Sequence, residues 1–251
     1  MKKMSLVLDK IYESKKVENQ PPVEYNKDFE KRPSWVKINL DKKIIFIKML
    51  SNGEAFWYRR YFEDYFFPFE ATSEDMKSFY NETATEYEMF VPHQKEVAIK
   101  LVSFLKEQKV NKDSKILDLG AGTGLVTQEI AREGYSDLTL LDISNKELEL
   151  AKKKVLLKKA KYIISDLTKD EIKEKYDLVV ETLAFNELLE KNILILLNNI
   201  KNSLNKGGLF IMIDRHLFPE LDSFFVKIKS GKFPLKTPAG VFDYYFYIGR
   251  K

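Results

Sequence analysis

The sequence predicts an α/β fold: a doubly wound, mostly parallel seven-stranded sheet with helices on both faces, plus a small N-terminal β-rich aromatic subdomain. Two observations predict the sheet. Short apolar runs alternate with helical patterns from about residue 115 onward, and such alternation is typical of parallel strands joined by crossover helices. A glycine loop at residues 120–124 follows the first of these runs. Open α/β sheets bind nucleotide-like ligands at such a point.

The N-terminal 72 residues are predicted to form a separate extension, and residues 73–251 the main domain. Residues 35–39 and 43–48 are rich in β-branched and aromatic side chains and are predicted to form two strands around a turn at residues 40–42. Residues 56–69 form the most aromatic stretch of the chain. This stretch fits either the core of a β-rich subdomain or a lid over a ligand site, and the two interpretations are compatible.

Beyond residue 72 the pattern is first helical and then alternating. Ser73 with the acids behind it is typical of a helix start. The predicted strands are residues 115–119, 138–142, 162–165, 178–181, 209–214 and 241–248. The predicted helices between them are residues 124–133, 144–159 and 192–204. Ser144 and Glu147 fit a capping box at the start of the second of these helices.

Composition narrows the class of protein. The 251 residues include no cysteine, which excludes disulfides, thiolate nucleophiles and cysteine-ligated metals. With two histidines, no metal site is expected either. The net charge of +4 at pH 7 comes mainly from lysine, whereas phosphate-binding surfaces favour arginine, so nucleic acid is not an expected partner. No apolar run reaches the roughly 18 residues of a membrane span, and we expect a cytoplasmic protein with no membrane partner.

The glycine loop reads Asp118-Leu119-Gly120-Ala121-Gly122-Thr123-Gly124. Glycines let a ligand approach the backbone, and the helix behind them offers free N–H groups. Dinucleotide-binding loops read G-x-G-x-x-G, whereas here the third glycine comes two residues after the second and an acid precedes the first by two. We expect Asp118 to face a cationic group of the ligand. The residues expected to contact the ligand directly are Gly120, Ala121, Gly122 and Gly124.

Acids also end the following strands. Asp142 comes about twenty residues after the loop, where doubly wound folds use a carboxylate to accept hydrogen bonds from ribose hydroxyls. Asp166 follows the third strand and is placed to accept from an adenine amino group, or else to form a turn. Ile143 and Leu167 beside these acids are expected to line the same site. Glu181 ends the fourth strand and either binds the ligand or caps the next helix.

These pieces, in this order and spacing over about residues 76–214, resemble the class I S-adenosylmethionine (SAM) dependent methyltransferases, in particular the branch with many small-molecule methyltransferases. That branch often carries Y-D-x-x-A-x-x-Y-D before the glycine loop. Tyr80, Ala84 and Tyr87 match this pattern, whereas Asn81 and Glu88 replace the two aspartates. The resemblance implies SAM as cofactor, S-adenosylhomocysteine as product, and Tyr80 and Tyr87 at the methionine end. The alternative is that both tyrosines only pack a helix.

Candidates for the acceptor side are polar residues near the ends of strands. His216 follows a predicted strand and is the first candidate for a general base. His93, near a helix start, is the second, although a lone histidine is more often a surface or capping residue. Asn186 and Glu187 follow the fourth strand. Many members of the resembled family have a histidine near the position of Asn186.

The leading functional hypothesis is methyl transfer from SAM to a small-molecule acceptor by in-line displacement. The aromatic N-terminal stretch and residues 218–233 are expected to form a mostly apolar acceptor pocket. The alternatives are a protein or RNA acceptor, a SAM-binding module without catalysis, and a nicotinamide-dependent oxidoreductase. The sequence leaves the oligomeric state open, with a homodimer as the assembly considered.

Overall fold

The computed structural model of the chain describes residues 35–40, 43–49, 55–60, 73–85, 87–91, 93–185, 188, 190–237 and 240–251. The chain divides into two compact units, Met1–Thr72 and Ser73–Lys251. In the first unit, strands β1 (Trp35–Leu40), β2 (Lys43–Met49) and β3 (Ala55–Arg60) form an antiparallel sheet in the order β1-β2-β3. Residues 61–69 of the predicted aromatic stretch lie outside the described part of the chain.

The second unit begins with helices and continues with alternating strands and helices. Its strands are β4 (Ile116–Leu119), β5 (Leu138–Asp142), β6 (Lys161–Ile164), β7 (Tyr176–Thr182), β8 (Leu204–Asp214), β9 (Val226–Thr237) and β10 (Gly240–Arg250). Its helices are α1 (Ser73–Thr83), α2 (Tyr87–Phe90), α3 (Gln94–Glu107), α4 (Leu125–Arg132), α5 (Asn145–Lys153), α6 (Glu190–Ser203) and α7 (Leu221–Phe224). None of the helices in the described ranges has the length and apolar composition that a bilayer crossing requires.

The seven strands form one sheet in the order β6-β5-β4-β7-β8-β10-β9. Strands β4 to β8 pair in parallel, and β10 runs antiparallel to both β8 and β9. The chain moves outward from β4 to β5 and β6, then returns to place β7 on the other side of β4. A crevice opens at such a reversal, outside the carboxyl ends of the strands. The predicted fold class, a mostly parallel seven-stranded sheet with helices, is confirmed.

Alternate residues of the central strands build two apolar layers, one on each face of the sheet. Ile116 and Val180 belong to the layer that contains α3 and α4. Leu117 and Val179 belong to the opposite layer with α6. Strands buried on both faces read as continuous apolar runs rather than as alternating ones. This is why the runs in the sequence identify these strands.

The helix predicted over residues 144–159 is shorter in the structure. Helix α5 ends at Lys153, because the backbone of Lys154 turns extended at ψ 127°, and a 3₁₀ turn follows at Val155–Leu157. The turn directs Leu157 into the core and leaves Val155 exposed. The chain therefore changes direction after Lys153 so that Leu157 packs in the core. The helical periodicity of the sequence does not predict this change.

Strand β9 is absent from the predicted elements, and part of it overlaps residues 218–233, which were expected to line an acceptor pocket. It forms the edge of the sheet, with β10 as its neighbour among the described strands. Its apolar residues Val226 and Ile228 are exposed and alternate with lysines. An edge strand buries little, so its sequence lacks the apolar run that marks the central strands. None of the described residues 218–233 lines the pocket at the carboxyl ends of the central strands.

Candidate functional site

A pocket of about 820 Å³, partly open to solvent, lies at the carboxyl ends of β4, β5 and β7. Residues of helices α1 to α5 and of the loops after β4, β5, β6 and β7 line its walls. The predicted site residues that line it are Tyr80, Tyr87, Gly120, Ala121, Gly122, Asp142, Ile143, Asp166 and Leu167. The predicted site residues that do not are His93, Asp118, Gly124, Glu181 and His216. Asn186 and its neighbour Glu187 lie outside the described residues.

The first two glycines of the loop form the pocket floor. Gly120 and Gly122 have positive φ angles of 66° and 54°. A Cβ atom on Gly120 would lie 2.5 Å from the Cβ of Ala184 in the loop after β7. Glycine is therefore required at position 120 both for the left-handed backbone and for the close approach of the two loops.

Gly124 packs against core side chains and does not line the pocket, so its contact with the ligand stays a prediction. It is the N-cap residue of α4, with φ 74°. A Cβ there would lie 2.8 Å from Leu157 Cδ1 and 3.0 Å from both Ala151 Cβ and Leu140 Cδ2, all core atoms. The third glycine of the motif thus lets α4 start close to β5 and α5, without itself lining the pocket.

Asp142 connects the end of β5 to the glycine loop. Its Oδ2 accepts a hydrogen bond from Gly122 N at 2.8 Å, and its Oδ1 accepts one from Ser144 N at 2.7 Å. Burial raises the pKa of Asp142 to about 6, against the opposing effect of the backbone donors. The carboxylate has four lone pairs in all, more than its backbone donors use, and it lines the pocket.

Asp118 is not among the residues that line the pocket, and its contact with a cationic group of the ligand stays a prediction. Its side chain is buried, and its Oδ2 accepts a hydrogen bond from the Thr127 hydroxyl of α4. The alternation of strand residues explains this position, because Asp118 shares the face of β4 that packs against α3 and α4. Burial raises the pKa of Asp118 to about 7, and the nearby Asp142 carboxylate adds to that effect.

The raised pKa of Asp118 predicts a pH-dependent stability. The folded chain holds this proton up to about pH 7, whereas the unfolded chain releases it near its ordinary pKa of 3.8. The stabilisation is therefore complete below pH 3.8 and is lost as the pH rises toward 7. An Asp118→Asn variant has no titratable group at this position. Relative to the wild type, its free energy of unfolding should therefore increase by a few kcal/mol between pH 4 and pH 8.

Urea denaturation across this pH range measures the difference. The matched control is Asp137→Asn, since Asp137 is exposed just before β5, and this variant should keep the pH-dependent loss of stability that Asp118 causes. An equal pH slope in the wild type and Asp118→Asn would contradict the buried, protonated carboxyl.

Asp166 lines the pocket, but its carboxylate is already used in a turn. Its Oδ1 accepts from the Thr168 backbone at 3.0 Å and from the Thr168 hydroxyl at 2.6 Å, and Lys169 pairs with its Oδ2 at 3.0 Å. Although burial raises the pKa of Asp166, hydrogen bonds from Thr168, Ser73 and Lys169 hold it below its usual value. The turn-forming alternative accounts for these bonds, and contact with an adenine amino group stays a prediction.

Tyr80 and Tyr87 lie together in the pocket wall, with ring centroids 5.8 Å apart and ring planes at 72°. The residues at the two positions where the motif has aspartates form hydrogen bonds between separate elements of the site. Asn81 Oδ1 accepts from the Ser144 hydroxyl at 2.9 Å and from Lys146 N at 3.2 Å. Glu88 Oε1 accepts from the Thr123 hydroxyl and from Lys154 Nζ, both at 2.6 Å. These bonds hold α1 and α2 against the glycine loop and α5.

Glu181 positions the loop after β7 from below. Its buried Oε1 accepts from Ala184 N at 2.7 Å and from Phe185 N at 3.1 Å. Burial, together with the neighbouring Asp214 carboxyl, raises its pKa well above the ordinary value. Leu183 in this loop has a positive φ of 61°. Glu181 thus holds a loop that lines the pocket, and direct contact with a cofactor is not supported by its position.

Neither histidine is among the described residues that line the pocket. His216 is exposed beyond the end of β8, and partial burial, with the charge of Arg215, lowers its pKa. His93 precedes α3, with its ring 6.1 Å from the Tyr244 ring. A strand end predicts only the edge of the sheet at which a side chain emerges, so the sequence could not distinguish these positions from the pocket.

Glu147 lines the pocket and is absent from the predicted site residues. The capping box is only half formed. Ser144 Oγ accepts from Glu147 N at 3.2 Å, as predicted, but Ser144 N donates to Asp142. The Glu147 carboxyl is consequently left for the pocket. The i+3 spacing of Glu147 from Ser144 predicts a helix cap and gives no indication of contact with a ligand.

Comparison with known proteins agrees with this geometry. Residues 116–208, from β4 into β8, match the family described as methyltransferase domain. A malonyl-[acyl-carrier protein] O-methyltransferase from Priestia megaterium is 29% identical over 172 residues, covering 66% of this chain and 62% of that protein. A ribosomal protein L11 methyltransferase from Lactobacillus johnsonii is 31% identical over 140 residues, covering 51% and 42%. The chain thus spans about three fifths, or less, of these relatives.

Solved structures share the fold. Magnesium protoporphyrin IX methyltransferase from Synechocystis PCC 6803, with bound SAM, aligns with a TM-score of 0.59 at 15% identity, over 74% of this chain and all of that one. The N-methyltransferase NodS from Bradyrhizobium japonicum aligns with a TM-score of 0.54 at 15% identity, over 64% and 88%. The matched region contains the glycine loop and the strand-end acids Asp142, Asp166 and Glu181. The chain therefore resembles the class I SAM-dependent methyltransferases, with the family match over residues 116–208.

Proposed function

We propose that this protein transfers a methyl group from SAM to a small-molecule acceptor. The observation that carries the proposal is the arrangement around Asp142. Its buried carboxylate is held by two backbone donors on the inner side and lines an open pocket on the other. A carboxylate in this place is suited to accept hydrogen bonds from a ribose.

The lining residues fit SAM along the length of the pocket. Asp142 and Ile143 would hold the ribose, and Leu167 would pack beside the adenine. Gly120 and Gly122 leave room for the backbone to approach the methionine end, and a side chain at position 120 would fill that room. Tyr80 and Tyr87 would cover the same end.

Methyl transfer requires alignment more than acid–base chemistry. When bound, SAM supplies a methyl group on a sulfonium, already activated for displacement. The protein contributes a fixed orientation and a site with little water. The loop that Glu181 holds, with Leu183 and Ala184, would form the apolar wall beside the acceptor. Neither His216 nor His93 lines the described pocket. A general-base role for either histidine stays a prediction.

A small acceptor is favoured because one solved structure of the same fold is named as a magnesium protoporphyrin IX methyltransferase. The relative from P. megaterium is named for methylation of malonyl-[acyl-carrier protein], which suggests testing small carboxylic acids both free and attached to a carrier. A protein acceptor is the second candidate, because the relative from L. johnsonii is named for methylation of a ribosomal protein.

Isothermal titration with SAM and S-adenosylhomocysteine tests the first step. We expect micromolar binding of both and no competition from NADH. Transfer of labelled methyl groups is then measured on a panel of small acids, amines and phenols, on carrier-bound acids and on ribosomal protein. Turnover on the small molecules supports the proposal, and turnover confined to protein supports the second candidate. No binding of either ligand would remove both.

A further inference from the structure

Glu147 is a buried carboxyl in the pocket wall that no contact in the described structure explains. Its side chain belongs to the first turn of α5 and the residue is 2% exposed. Its Oε1 has no hydrogen-bond partner among the described residues. A buried polar atom without a partner costs about 1–3 kcal/mol. Such an atom beside an open pocket indicates a group that a ligand satisfies.

Several charged groups surround this carboxyl. Asp142 at the end of β5 and Glu88 on α2 both act on it electrostatically. Lys154 is paired with Glu88 rather than with Glu147. Burial, followed by the two neighbouring carboxylates, raises the pKa of Glu147 well above its ordinary value. In its protonated form, which this shift favours, the Glu147 carboxyl can donate a hydrogen bond, whereas ionised Asp142 can only accept.

Its position places it beside the ribose-binding carboxylate. Glu147 follows Asp142 by five residues, and Ser144 N, which could have occupied it, donates to Asp142 instead. The other carboxyl oxygen, Oε2, lies 3.2 Å from the point where a Cβ on Gly122 would sit. Gly122 also donates its N–H to Asp142. Asp142, Gly122 and Glu147 consequently form one wall of the pocket.

We propose that Glu147 is a specificity-determining residue, which donates a hydrogen bond to one of the ribose hydroxyls of the cofactor while Asp142 accepts from them. A vicinal diol offers both donors and acceptors, and a pair of carboxyls sharing a single negative charge matches it. The site then selects a ribonucleoside with both hydroxyls free. The inference rests on the proposed binding of SAM.

Affinities for S-adenosylhomocysteine and for its 2′-deoxy and 3′-deoxy forms test the proposal by isothermal titration. Glu147→Met keeps the size and removes the donor, so affinity for S-adenosylhomocysteine should fall about tenfold, the equivalent of one hydrogen bond. For the deoxy form that lacks the bonded hydroxyl, the same substitution should have less than about a threefold effect. Glu147→Gln keeps a neutral donor, so its affinity should stay within about threefold of the wild type.

The pH dependence gives a second readout. Wild-type affinity relative to that of Glu147→Gln should fall as the pH rises, because the donating proton is lost only from the wild type. Dividing by the Glu147→Gln value removes the titration of the ligand itself. Glu149→Met, on the exposed side of the same helix, is the matched control and should bind like the wild type. Thermal melting of every variant checks that it is folded.

Each contrary outcome has a distinct meaning. If Glu147→Met binds S-adenosylhomocysteine as the wild type does, the role of Glu147 is overturned while the proposed function stands. If it weakens all three ligands equally, Glu147 acts through packing and the proposal is also overturned. No binding to the wild type would overturn the proposed function and this inference together.

Discussion

Replacing Asp142 by alanine is expected to lower the affinity for S-adenosylhomocysteine by about 100-fold, or roughly 3 kcal/mol. Two losses combine. The ligand loses the carboxylate that accepts from its ribose, and the protein loses the acceptor of Gly122 N and Ser144 N. Because Gly122 belongs to the glycine loop, the substitution also loosens the floor of the pocket. Isothermal titration on wild type and variant measures the effect.

A matched control lies at the opposite end of the same strand. Asp137 is exposed just before β5, so Asp137→Ala removes the same charge without removing a pocket contact, and its affinity should equal that of the wild type. Urea denaturation of both variants separates lost binding from lost folding. An Asp142→Ala protein that binds as tightly as the wild type would show that the ligand sits elsewhere.

Replacing Gly120 by alanine is expected to reduce stability by about 2–4 kcal/mol and to abolish measurable binding of S-adenosylhomocysteine. The new methyl group would lie 2.5 Å from Ala184 Cβ, so one of the two loops must move. The positive φ of 66° adds strain that does not depend on space. Both loops line the pocket, and a shift of either changes its shape. Urea denaturation and isothermal titration measure the two effects.

The Gly134→Ala variant separates the effect of backbone strain from the effect of steric overlap with a neighbouring residue. Gly134 has a φ of 91°, but a Cβ there would meet no described atom within 4 Å. This control should cost about 1 kcal/mol from backbone strain alone and leave binding unchanged. If Gly120→Ala were no more destabilising than Gly134→Ala, the close approach of the two loops would be refuted.

Features set by neighbours along the chain can be predicted from the sequence alone. The runs around Leu117 and Val179 identify central strands, because burial on both faces requires continuous apolar residues. The glycine loop and Asp142 can be located because a strand end, a tight turn and a helix start are written within a few consecutive residues. Ser144 as a helix cap belongs to this class as well.

Features set by the direction of a side chain depended on the tertiary structure. Asp118 and Gly124 belong to the predicted motif. The Asp118 side chain is buried and accepts a hydrogen bond from Thr127, and Gly124 packs closely against core side chains. His216 follows a strand end, is exposed and does not line the pocket. Glu147 enters the pocket only because Asp142 takes the backbone donor that a capping box would have used.

The physical reason for this division is the range of the interactions. Strands, turns and caps are encoded by local periodicity and local hydrogen bonds, so the amino-acid sequence by itself determined the fold and the place of the nucleoside site. The chemistry of the pocket wall depends on which residues of α1, α5 and three separate loops meet across the sheet ends. Those contacts join residues far apart in sequence, and only packing of the complete second unit decided them.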